Sequence, residues 1–375
     1  LYNPHTRRAE ALVVYGFVFG CYSAVHGWNR VPRAYTHIAR RLLAVPVVDY
    51  YDDFMDGGPD YDQPSSQRSL IALTDLIGLG FSEDKHEPGA VLSILLGVLS
   101  DFRPVVSPTT PAVALGVTVD RRAKLIEAID DVLRRRRLSR ADARRLYGKA
   151  RFAICPVFGC VGLGLLHRLP RLRGTTCLQS NPLLQYDLLT LRDVLPDLQP
   201  VLYPLLPRTD PPVLIFTDAS EEAALPTGEI GIFIWDPLTA SSHYSALRLP
   251  PSVLAWLRAS NVQQKYITQY ELLAAACAYT TFPDLLRGRL VHHFIDNFAA
   301  YSGLVRGRSN KPHSSRILNN AHASMLTLGA LPWFGFVYSE DNIADLPSRG
   351  DFRLMHQLGA WFRPCVLPDL ARWTL

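Results

Sequence analysis

The sequence is poor in cysteine, and it opens with neither an initiator methionine nor a secretory signal peptide. Its six cysteines, at positions 21, 155, 160, 177, 277 and 365, form no Cys-x-x-Cys pair and no zinc-finger spacing. A disulfide framework and a structural zinc site are therefore excluded, and we expect the reduced, mostly buried thiols of an intracellular protein. The abrupt start predicts that the chain is a fragment of something longer.

The sequence does not predict a membrane protein. The uncharged run over residues 152–166 is too short and too rich in glycine to span a bilayer. No clear nuclear-import signal is present either, because the arginines from Arg134 to Arg137 are better explained as part of a helix surface. We therefore expect an intracellular protein without membrane association, and the sequence leaves nucleus and cytoplasm open.

Length and composition indicate a folded chain of several domains. Its 375 residues suffice for two or three domains, and 48% hydrophobic residues argue against disorder. No internal repeat is present. Seven prolines between residues 181 and 212 predict a linker there. The predicted segments are therefore 1–102, 103–180, the linker 181–212, and 213–375.

Positive charge is concentrated in one segment, although the net charge is only +5. Residues 121–151 carry twelve Lys or Arg against four Asp or Glu. Apolar residues at helical spacing, such as Leu125 and Ile129, predict a helix, and Ser139 followed by Asp142 predicts the N-cap of a second one. Such a basic stripe indicates contact with nucleic-acid phosphates, with an ordinary solvated helix as the alternative. The candidate contacts are Arg134, Arg135, Arg136, Arg137, Arg144, Arg145 and Lys149.

The last segment alternates strands and helices. The predicted strands are 213–217, 230–235, 243–249, 290–296 and 333–338, and the predicted helices are about 262–281, 298–305, 314–328 and a short one from about 342. Three strands, a helix, a strand and further helices predict an α/β layer with a mixed sheet.

Four carboxylates of this segment stand in contexts that suit metal ligands. Asp218 ends the first predicted strand and Asp296 closes the fourth, so two neighbouring strands can bring them together. Glu271 lies in the long helix and Asp345 in the last short one. Two Mg²⁺ ions about 3.5–4 Å apart need such convergence from separate elements to cut a phosphodiester. Each acid alone is more simply a helix cap or a solvated strand end, but all four in this order predict a metal site.

The neighbours of these acids resemble the ribonuclease H domain of retrotransposon polyproteins. The family pattern is Asp-Ala-Ser, then Glu-Leu-Leu-Ala, then Asp-Asn or Asp-His, then Asn-x-Ala-Asp-x-x-Ser-Arg. This chain follows it over residues 213 to about 350. The resemblance implies a ribonuclease H-like fold in which Asp218, Glu271, Asp296 and Asp345 all bind metal.

Three residues near this pattern are assigned lesser roles. Asp341 competes with Asp345 for the fourth position, but Asn342-Ile-Ala-Asp345 fits the family pattern better. His292 and His293 are interpreted as strand side chains on either face of the sheet. The histidine that cellular members place shortly before the last aspartate has no counterpart between Val337 and Asp345.

The first segment resembles the palm of reverse transcriptases. Tyr50-Tyr51-Asp52-Asp53 matches their Tyr-x-Asp-Asp turn, and a plain acidic loop is the alternative. Lys85 matches the lysine of the next palm motif, and Leu96-Gly-Val98 matches the turn that grips the primer. Residues 19–33 and 121–165 resemble the substrate-positioning helix and the thumb of enzymes related to the DIRS group.

One departure bears on DNA synthesis. Family polymerases carry a further aspartate on an earlier palm strand, but the only acid before Phe19 is Glu10. Phosphoryl transfer depends almost wholly on positioned metal ions. Without the further aspartate, Asp52 and Asp53 would be the only acids of the polymerase motif left to bind them. We therefore expect polymerase activity to be lost or incomplete in this chain, unless sequence upstream of Leu1 supplies the missing aspartate.

The resemblances together imply a fragment of a retroelement reverse transcriptase–ribonuclease H polyprotein, DIRS-like or LTR-like. The expected fold class is α/β: a partial palm (1–102), a basic helical thumb or connection (103–180), the linker, and a ribonuclease H-like domain with a mixed sheet (213–375). The expected activity is hydrolysis of RNA in RNA·DNA hybrids with Mg²⁺ or Mn²⁺, and the expected partner is such a hybrid or a template-primer.

Two other functions stay open. A catalytically inactive, nucleic-acid-binding remnant of a retroelement would keep the fold and the basic stripe without cleaving RNA. Another nuclease of the same fold, such as an integrase or a junction resolvase, uses three acids and a different terminal motif. The reverse-transcriptase-like first segment disfavours this last alternative.

Overall fold

A computed structural model describes residues 2–3, 5–9, 22–58, 61–80, 87–103, 111–197, 199–205, 209–221, 227–258 and 266–369. The chain divides into two compact units, unit 1 (Leu1–Val91) and unit 2 (Leu92–Leu375). No described helix combines the length and the apolar character that crossing a lipid bilayer requires.

Unit 1 is built from helices and two small hairpins. Its elements are β1 (Tyr2–Asn3), β2 (Arg8–Ala9), α1 (Tyr22–Trp28), α2 (Arg30–Leu42), β3 (Val47–Tyr50), β4 (Asp53–Asp56) and α3 (Gln63–Ile77). Tyr35 and Ala39 of α2 share a small buried core with Leu70 and Leu73 of α3 and with Val47 of β3. The buried Tyr35 hydroxyl donates to the carbonyl of Leu70 at 2.9 Å, so its polar atom is satisfied within that core.

Unit 2 opens with an antiparallel sheet and a group of helices. These elements are β5 (Leu92–Leu95), β6 (Val98–Asp101), β7 (Ala112–Val117), α4 (Val119–Arg135), β8 (Arg137–Leu138), α5 (Arg140–Phe158), α6 (Leu163–Leu166), β9 (Thr176–Cys177), α7 (Pro182–Val194) and β10 (Val201–Pro204). The sheet order is β10-β7-β6-β5. Because β6 pairs with β7, the compact unit begins before the predicted boundary near residue 102.

The two basic helices form where the sequence predicts them. Thr118 caps α4 by accepting a hydrogen bond from the Arg121 N–H, and Ser139 caps α5 by accepting one from the Asp142 N–H at 3.0 Å. Leu125 and Ile129 of α4 are buried against α5 and α7. The capping and the apolar spacing are thus both confirmed.

The prediction of a linker over residues 181–212 is wrong in its local structure. Asn181 caps α7 with its side chain, and Pro182 occupies the first turn, where a helix tolerates a missing N–H. Leu188 of α7 is 1% exposed in the core of these helices. Pro204 lies on β10, an edge strand, where proline removes no needed ladder hydrogen bond. Each of these prolines therefore stands at a position compatible with regular structure.

The rest of unit 2 is a six-stranded mixed sheet with helices. Its elements are β11 (Val213–Glu221), β12 (Gly228–Asp236), β13 (Ser241–Arg248), α8 (Pro251–Arg258), α9 (Ile267–Thr281), α10 (Pro283–Leu286), β14 (Leu290–Ile295), α11 (Phe298–Arg306), α12 (Pro312–Leu328), β15 (Leu331–Phe336), α13 (Asp345–Ser348), α14 (Arg353–Gln357) and β16 (Trp361–Phe362). The order is β15-β14-β11-β12-β13-β16, antiparallel among β11, β12 and β13 and parallel elsewhere. The predicted α/β fold class with a mixed sheet is confirmed.

Helix α9 is the centre of this core. Leu272, Ala275, Ala276 and Tyr279 are buried, and Leu273 and nearly every other residue of the helix are buried as well. The helix is therefore enclosed rather than amphipathic, because β11 and β12 cover one side and α11 and α12 cover the other. An enclosed helix gives its one carboxylate, on Glu271, a fixed position.

Candidate metal centre

Two of the predicted carboxylates follow the same pair of parallel strands. In the pairing of β11 with β14, Thr217 stands opposite Ile295. The next residues along the chain are Asp218, still on β11, and Asp296, directly after the end of β14. Asp218 does not end its strand as predicted, because β11 continues to Glu221 in its ladder with β12. Asp218 is consequently 4% exposed, more deeply buried than a strand-end residue.

Glu271 reaches the same place from α9. Its side chain is 3% exposed, and the backbone N–H of Ala219 donates a hydrogen bond to its carboxylate. One oxygen each from Asp218, Glu271 and Asp296 lie within 4.8 Å of one another. The convergence of these three acids, which their sequence contexts predict, is present in the structure.

Asp345 lies at the start of α13, outside this 4.8 Å group but near it. Its negative charge raises the pKa of both Asp218 and Glu271, although it is not the largest cause for either residue. Arg349, one helical turn later, forms an ion pair with Asp345 through Nε at 2.8 Å. The fourth predicted acid, Asp345, thus lies beside the group and is paired with the guanidinium group of Arg349.

The electrostatics of the group disfavour three free carboxylates. Burial, together with the nearby negative charges of Asp218 and Asp296, raises the pKa of Glu271 to about 10. Burial also raises the pKa of Asp218 to about 7, while the hydrogen bond from Ser348 opposes that rise. Glu271 Oε2 and Asp296 Oδ1 are buried without a hydrogen-bond partner among the described residues. Bound cations would relieve both the repulsion and the missing contacts.

The segment that carries Asp345 is fastened to β11 by side chains. Asn342 Nδ2 donates to the carbonyl of Thr217 at 3.0 Å, and the buried hydroxyl of Ser348 donates to Asp218 Oδ2. Ser220 Oγ in turn donates to the carbonyl of Ser348 at 2.6 Å. Asp218 is therefore positioned by the same segment that supplies the fourth acid.

A glycine permits this close approach. Gly231 of β12 stands opposite Asp218, and a Cβ built on it would lie 2.4 Å from the Ser348 nitrogen and 2.5 Å from the Ala344 carbonyl oxygen. The last sequence motif identified Asp345 but neither the role of Ser348 nor that of Gly231. A glycine inside an otherwise apolar strand is a signal of close backbone contact that could have identified Gly231.

The two histidines of β14 lie on opposite faces of the sheet, as interpreted. His293 is fully buried, and its ring nitrogens contact Thr217 Oγ1 at 2.9 Å and the Tyr279 hydroxyl at 3.2 Å. Burial lowers the pKa of His293 to about 3. His292 instead packs against the ring of Trp333. Neither histidine belongs to the group of possible metal ligands found among the described residues.

The polymerase-like residues of unit 1 lie on a tight hairpin, but they do not form a comparable group. Tyr50 of β3 pairs with Asp53 of β4, which leaves Tyr51 and Asp52 in the turn. Asp52 and Asp53 are exposed, and within the described ranges neither joins a group of three possible metal ligands. Lys85 and residues 10–21 lie outside the described residues. The turn at Leu96–Gly97, predicted to grip a primer, joins β5 to β6 in unit 2.

The predicted basic stripe is exposed, and part of it is neutralised. Arg134 and Arg135 form ion pairs with Asp131, and Arg145 forms one with Asp142. In the part of the chain that the structure describes, the other four candidates have no carboxylate within ion-pair distance; they are Arg136, Arg137, Arg144 and Lys149.

Comparisons with known proteins give structural matches alone. No protein-family model and no curated protein sequence matches the chain. LC11-RNase H1, isolated from compost by a metagenomic approach, is 15% identical, with 39% of this chain and 98% of that chain covered and a TM-score of 0.30. The N-terminal RNase H domain of rv2228c from Mycobacterium tuberculosis, solved as a maltose-binding-protein fusion, is 13% identical over 40% of this chain and 98% of that chain, with a TM-score of 0.29.

One match extends over most of the chain. The foamy viral protease-reverse transcriptase, solved in complex with an RNA/DNA hybrid, is 13% identical, and the TM-score is 0.32. The match covers 82% of this chain but only 38% of that protein. The structural neighbours of this chain are thus ribonuclease H domains and a reverse transcriptase.

Proposed function

We propose that this chain is a fragment of a retroelement reverse transcriptase–ribonuclease H protein whose C-terminal part hydrolyses RNA in RNA·DNA hybrids. The observation that carries this proposal is the meeting of Asp218, Glu271 and Asp296 within 4.8 Å, with Asp345 beside them. A buried group of carboxylates from two strands and a helix is costly unless a cation compensates it. The family motifs around all four acids support the same reaction.

The residues present fit Mg²⁺ or Mn²⁺. Carboxylate oxygens are hard ligands that suit both ions, and the described residues offer neither a sulfur nor an imidazole ligand in this group. Within the described residues, no Lys or Arg forms an ion pair with Asp218, Glu271 or Asp296. When bound, the divalent ions supply Lewis-acid stabilisation of negative charge at the reacting phosphate.

The side chains around the acids fix which oxygens are available. The Ser348 hydroxyl engages Oδ2 of Asp218, so the Oδ1 atom is the oxygen left free to bind a cation. The Ala219 N–H holds the Glu271 carboxylate, whose Oε2 has no hydrogen-bond partner among the described residues. Arg349 orients Asp345 from the exposed side. Such preorganisation lowers the cost of assembling the charged site.

DNA synthesis is proposed to be absent or incomplete in this chain. Asp52 and Asp53 lie on a hairpin as a polymerase palm requires, yet the further palm aspartate has no counterpart in the sequence before Phe19. Lys85 keeps its proposed palm role from sequence alone. The basic stripe on α4 and α5 is proposed to contact phosphates of a hybrid or template-primer, chiefly through Arg136, Arg137, Arg144 and Lys149, with selectivity for hybrids arising from 2′-hydroxyl contacts and groove shape.

The test is cleavage of an RNA·DNA hybrid labelled on the RNA strand, with Mg²⁺ present. The wild-type chain is expected to shorten the RNA, and Asp296→Asn is expected to slow cleavage by at least about 100-fold, because it removes a ligand oxygen charge from the site. Asp341→Asn is the matched control, since it makes the same change at an exposed acid near α13. That variant should cleave at the wild-type rate.

Two results would contradict the proposal. If the wild-type chain binds the hybrid but leaves the RNA intact at high protein concentration, the chain is the inactive nucleic-acid-binding remnant. If Asp296→Asn and the wild-type chain cleave equally, the activity does not come from this group of carboxylates. Thermal unfolding of each variant establishes that the comparison is made between folded proteins.

A further inference from the structure

A second set of basic residues comes together in unit 2 from two segments that lie far apart in the sequence. The first segment is 168–173, after α6, and the second is 306–311, between α11 and α12. The positively charged residues that define this composite basic patch are Arg171, Arg173, Arg306, Arg308 and Lys311. None of them belongs to a motif that the sequence singled out.

Specific contacts hold the two segments together. Arg171 donates to Asn310 Oδ1 at 2.6 Å across the junction. Gly307, with φ +63°, lies so close to Cys160 that a Cβ on it would be 2.5 Å from the Cys160 Cβ. Burial lowers the pKa of His167, and the charges of Arg168, Arg171 and Arg308 lower it further, so positive charge from both segments acts on one imidazole. The patch is therefore a defined surface and not a loose collection of side chains.

The patch is less neutralised than the predicted stripe. Within the residues that the structure describes, no carboxylate lies at ion-pair distance from any of the five patch residues. Arg171, Arg173, Arg306 and Arg308 are also exposed to solvent. Like charges held together without counterions form a surface that attracts a polyanion.

The patch lies close to the candidate metal centre. Helix α11 starts two residues after Asp296, and its nine residues span about 13 Å before Arg306 ends it. Ser314, in the first turn of α12, accepts a hydrogen bond from Gln269 Nε2 at 3.2 Å, and Gln269 lies two residues before Glu271 on α9. The loop that carries Arg308 therefore sits at the end of α9 that bears the carboxylate, within the width of one nucleic-acid duplex.

We infer that the composite basic patch binds the phosphate backbone of the RNA·DNA hybrid whose RNA strand lies at the carboxylates. This inference rests on the proposed function and extends it. Residues 168–173 precede the mixed sheet in the sequence, yet they would bind the substrate that the carboxylates of the sheet region cleave. The occupant is a polyphosphate backbone: the patch offers exposed guanidinium groups, which pair with phosphate oxygens in a bidentate manner.

The test is binding of a fluorescent RNA·DNA hybrid, measured by anisotropy over a range of KCl concentrations, with Ca²⁺ in place of Mg²⁺. The double variant Arg171→Ala with Arg308→Ala should weaken binding by on the order of tenfold and reduce the log–log salt slope by about two, one for each lost phosphate contact. The control is Arg103→Ala with Arg353→Ala, which removes the same charge from two exposed arginines that form ion pairs with Asp101 and Asp351. This control should bind like the wild-type chain.

A second variant separates charge from folding. Arg171→Lys with Arg308→Lys keeps both positive charges and should keep most of the salt slope. If this lysine variant instead binds the hybrid as weakly as the alanine variant, the two arginines have a structural role and the inference is overturned. Equal affinity and slope for the alanine variant and the Arg103/Arg353 control would also overturn it. Failure of the proposed function would give a different result. The wild-type chain would then bind the hybrid with its full log–log salt slope but would not cleave the RNA in Mg²⁺.

Discussion

At the scale of single residues, the candidate centre depends on a position that carries no chemistry. Gly231 allows the backbone of α13 to rest against β12, and this contact brings the Ser348 hydroxyl to Asp218 and places Asp345 beside the other acids. The four carboxylates could be identified from their sequence contexts. The glycine that sets their spacing matters only because two distant segments meet there.

Gly231→Ala should therefore damage both stability and cleavage. The added methyl group would overlap the Ser348 nitrogen and the Ala344 carbonyl, so α13 must move, at a cost of about 1–3 kcal/mol. We expect a lower free energy of unfolding in urea and a large loss of hybrid cleavage, since Asp345 moves with its helix.

Gly148→Ala is the control for this substitution. Gly148 lies inside α5, and apart from its chain neighbours and the backbone of its own helix no described atom lies within 4 Å of the position that an added methyl group would take. Alanine should therefore stabilise the chain by about 0.5–1 kcal/mol through helix propensity. Equal unfolding free energies for the Gly231 and Gly148 variants would mean that the close approach at β12 is not a constraint.

At the scale of elements, the pattern of apolar residues predicted most of the strands and helices of the mixed sheet within a few residues. Periodicity fixes these elements because each of them buries a local stripe or alternating face. It failed for α7, where the density of prolines indicated a linker although each proline can be accommodated. It also did not show that α9 is enclosed, because the packing of α12 on its outer side is not encoded locally.

Two adjacent leucines test whether α7 belongs to the core. Leu188 is 1% exposed and Leu189 is 38% exposed, so the same substitution meets two environments on one helix. Leu188→Ala should lower the free energy of unfolding by about 2–5 kcal/mol, whereas Leu189→Ala should lower it by about 1 kcal/mol or less. Urea denaturation followed by circular dichroism provides the measurement. Similar small effects at both positions would support a linker after all.

At the scale of the whole molecule, the buried carboxylates link stability to pH and to divalent ions. The folded pKa values of about 7 for Asp218 and about 10 for Glu271 exceed the unfolded values of 3.8 and 4.5. The folded chain then holds protons that the unfolded chain has lost. The stability from these groups is therefore complete below pH about 4 and declines as pH rises through the two folded pKa values.

Mg²⁺ should reverse this decline, because binding requires deprotonated oxygens and releases the protons. We expect the Mg²⁺-induced rise in the unfolding temperature to be small near pH about 5 and larger near pH about 8.5. When the ion is at 100 times its Kd, the added free energy of unfolding should approach about 2.7 kcal/mol. Differential scanning fluorimetry at both pH values measures it. In Glu271→Gln the pH dependence of the Mg²⁺ effect should be much reduced. Two results would contradict this account: a Mg²⁺ effect that is the same at both pH values in the wild-type chain, or a pH dependence in Glu271→Gln as large as in the wild-type chain.

The sequence by itself determined most strands and helices of the mixed sheet, the N-cap of α5, and the identity of the four acids, because each is written in residues close along the chain. Tertiary structure decided the rest: the meeting of three acids within 4.8 Å, the enclosure of α9, the place of α7 in the core and the joining of segments 168–173 and 306–311. These features depend on contacts between residues far apart in sequence. Such contacts are specified by the packing of whole elements, which no local pattern contains.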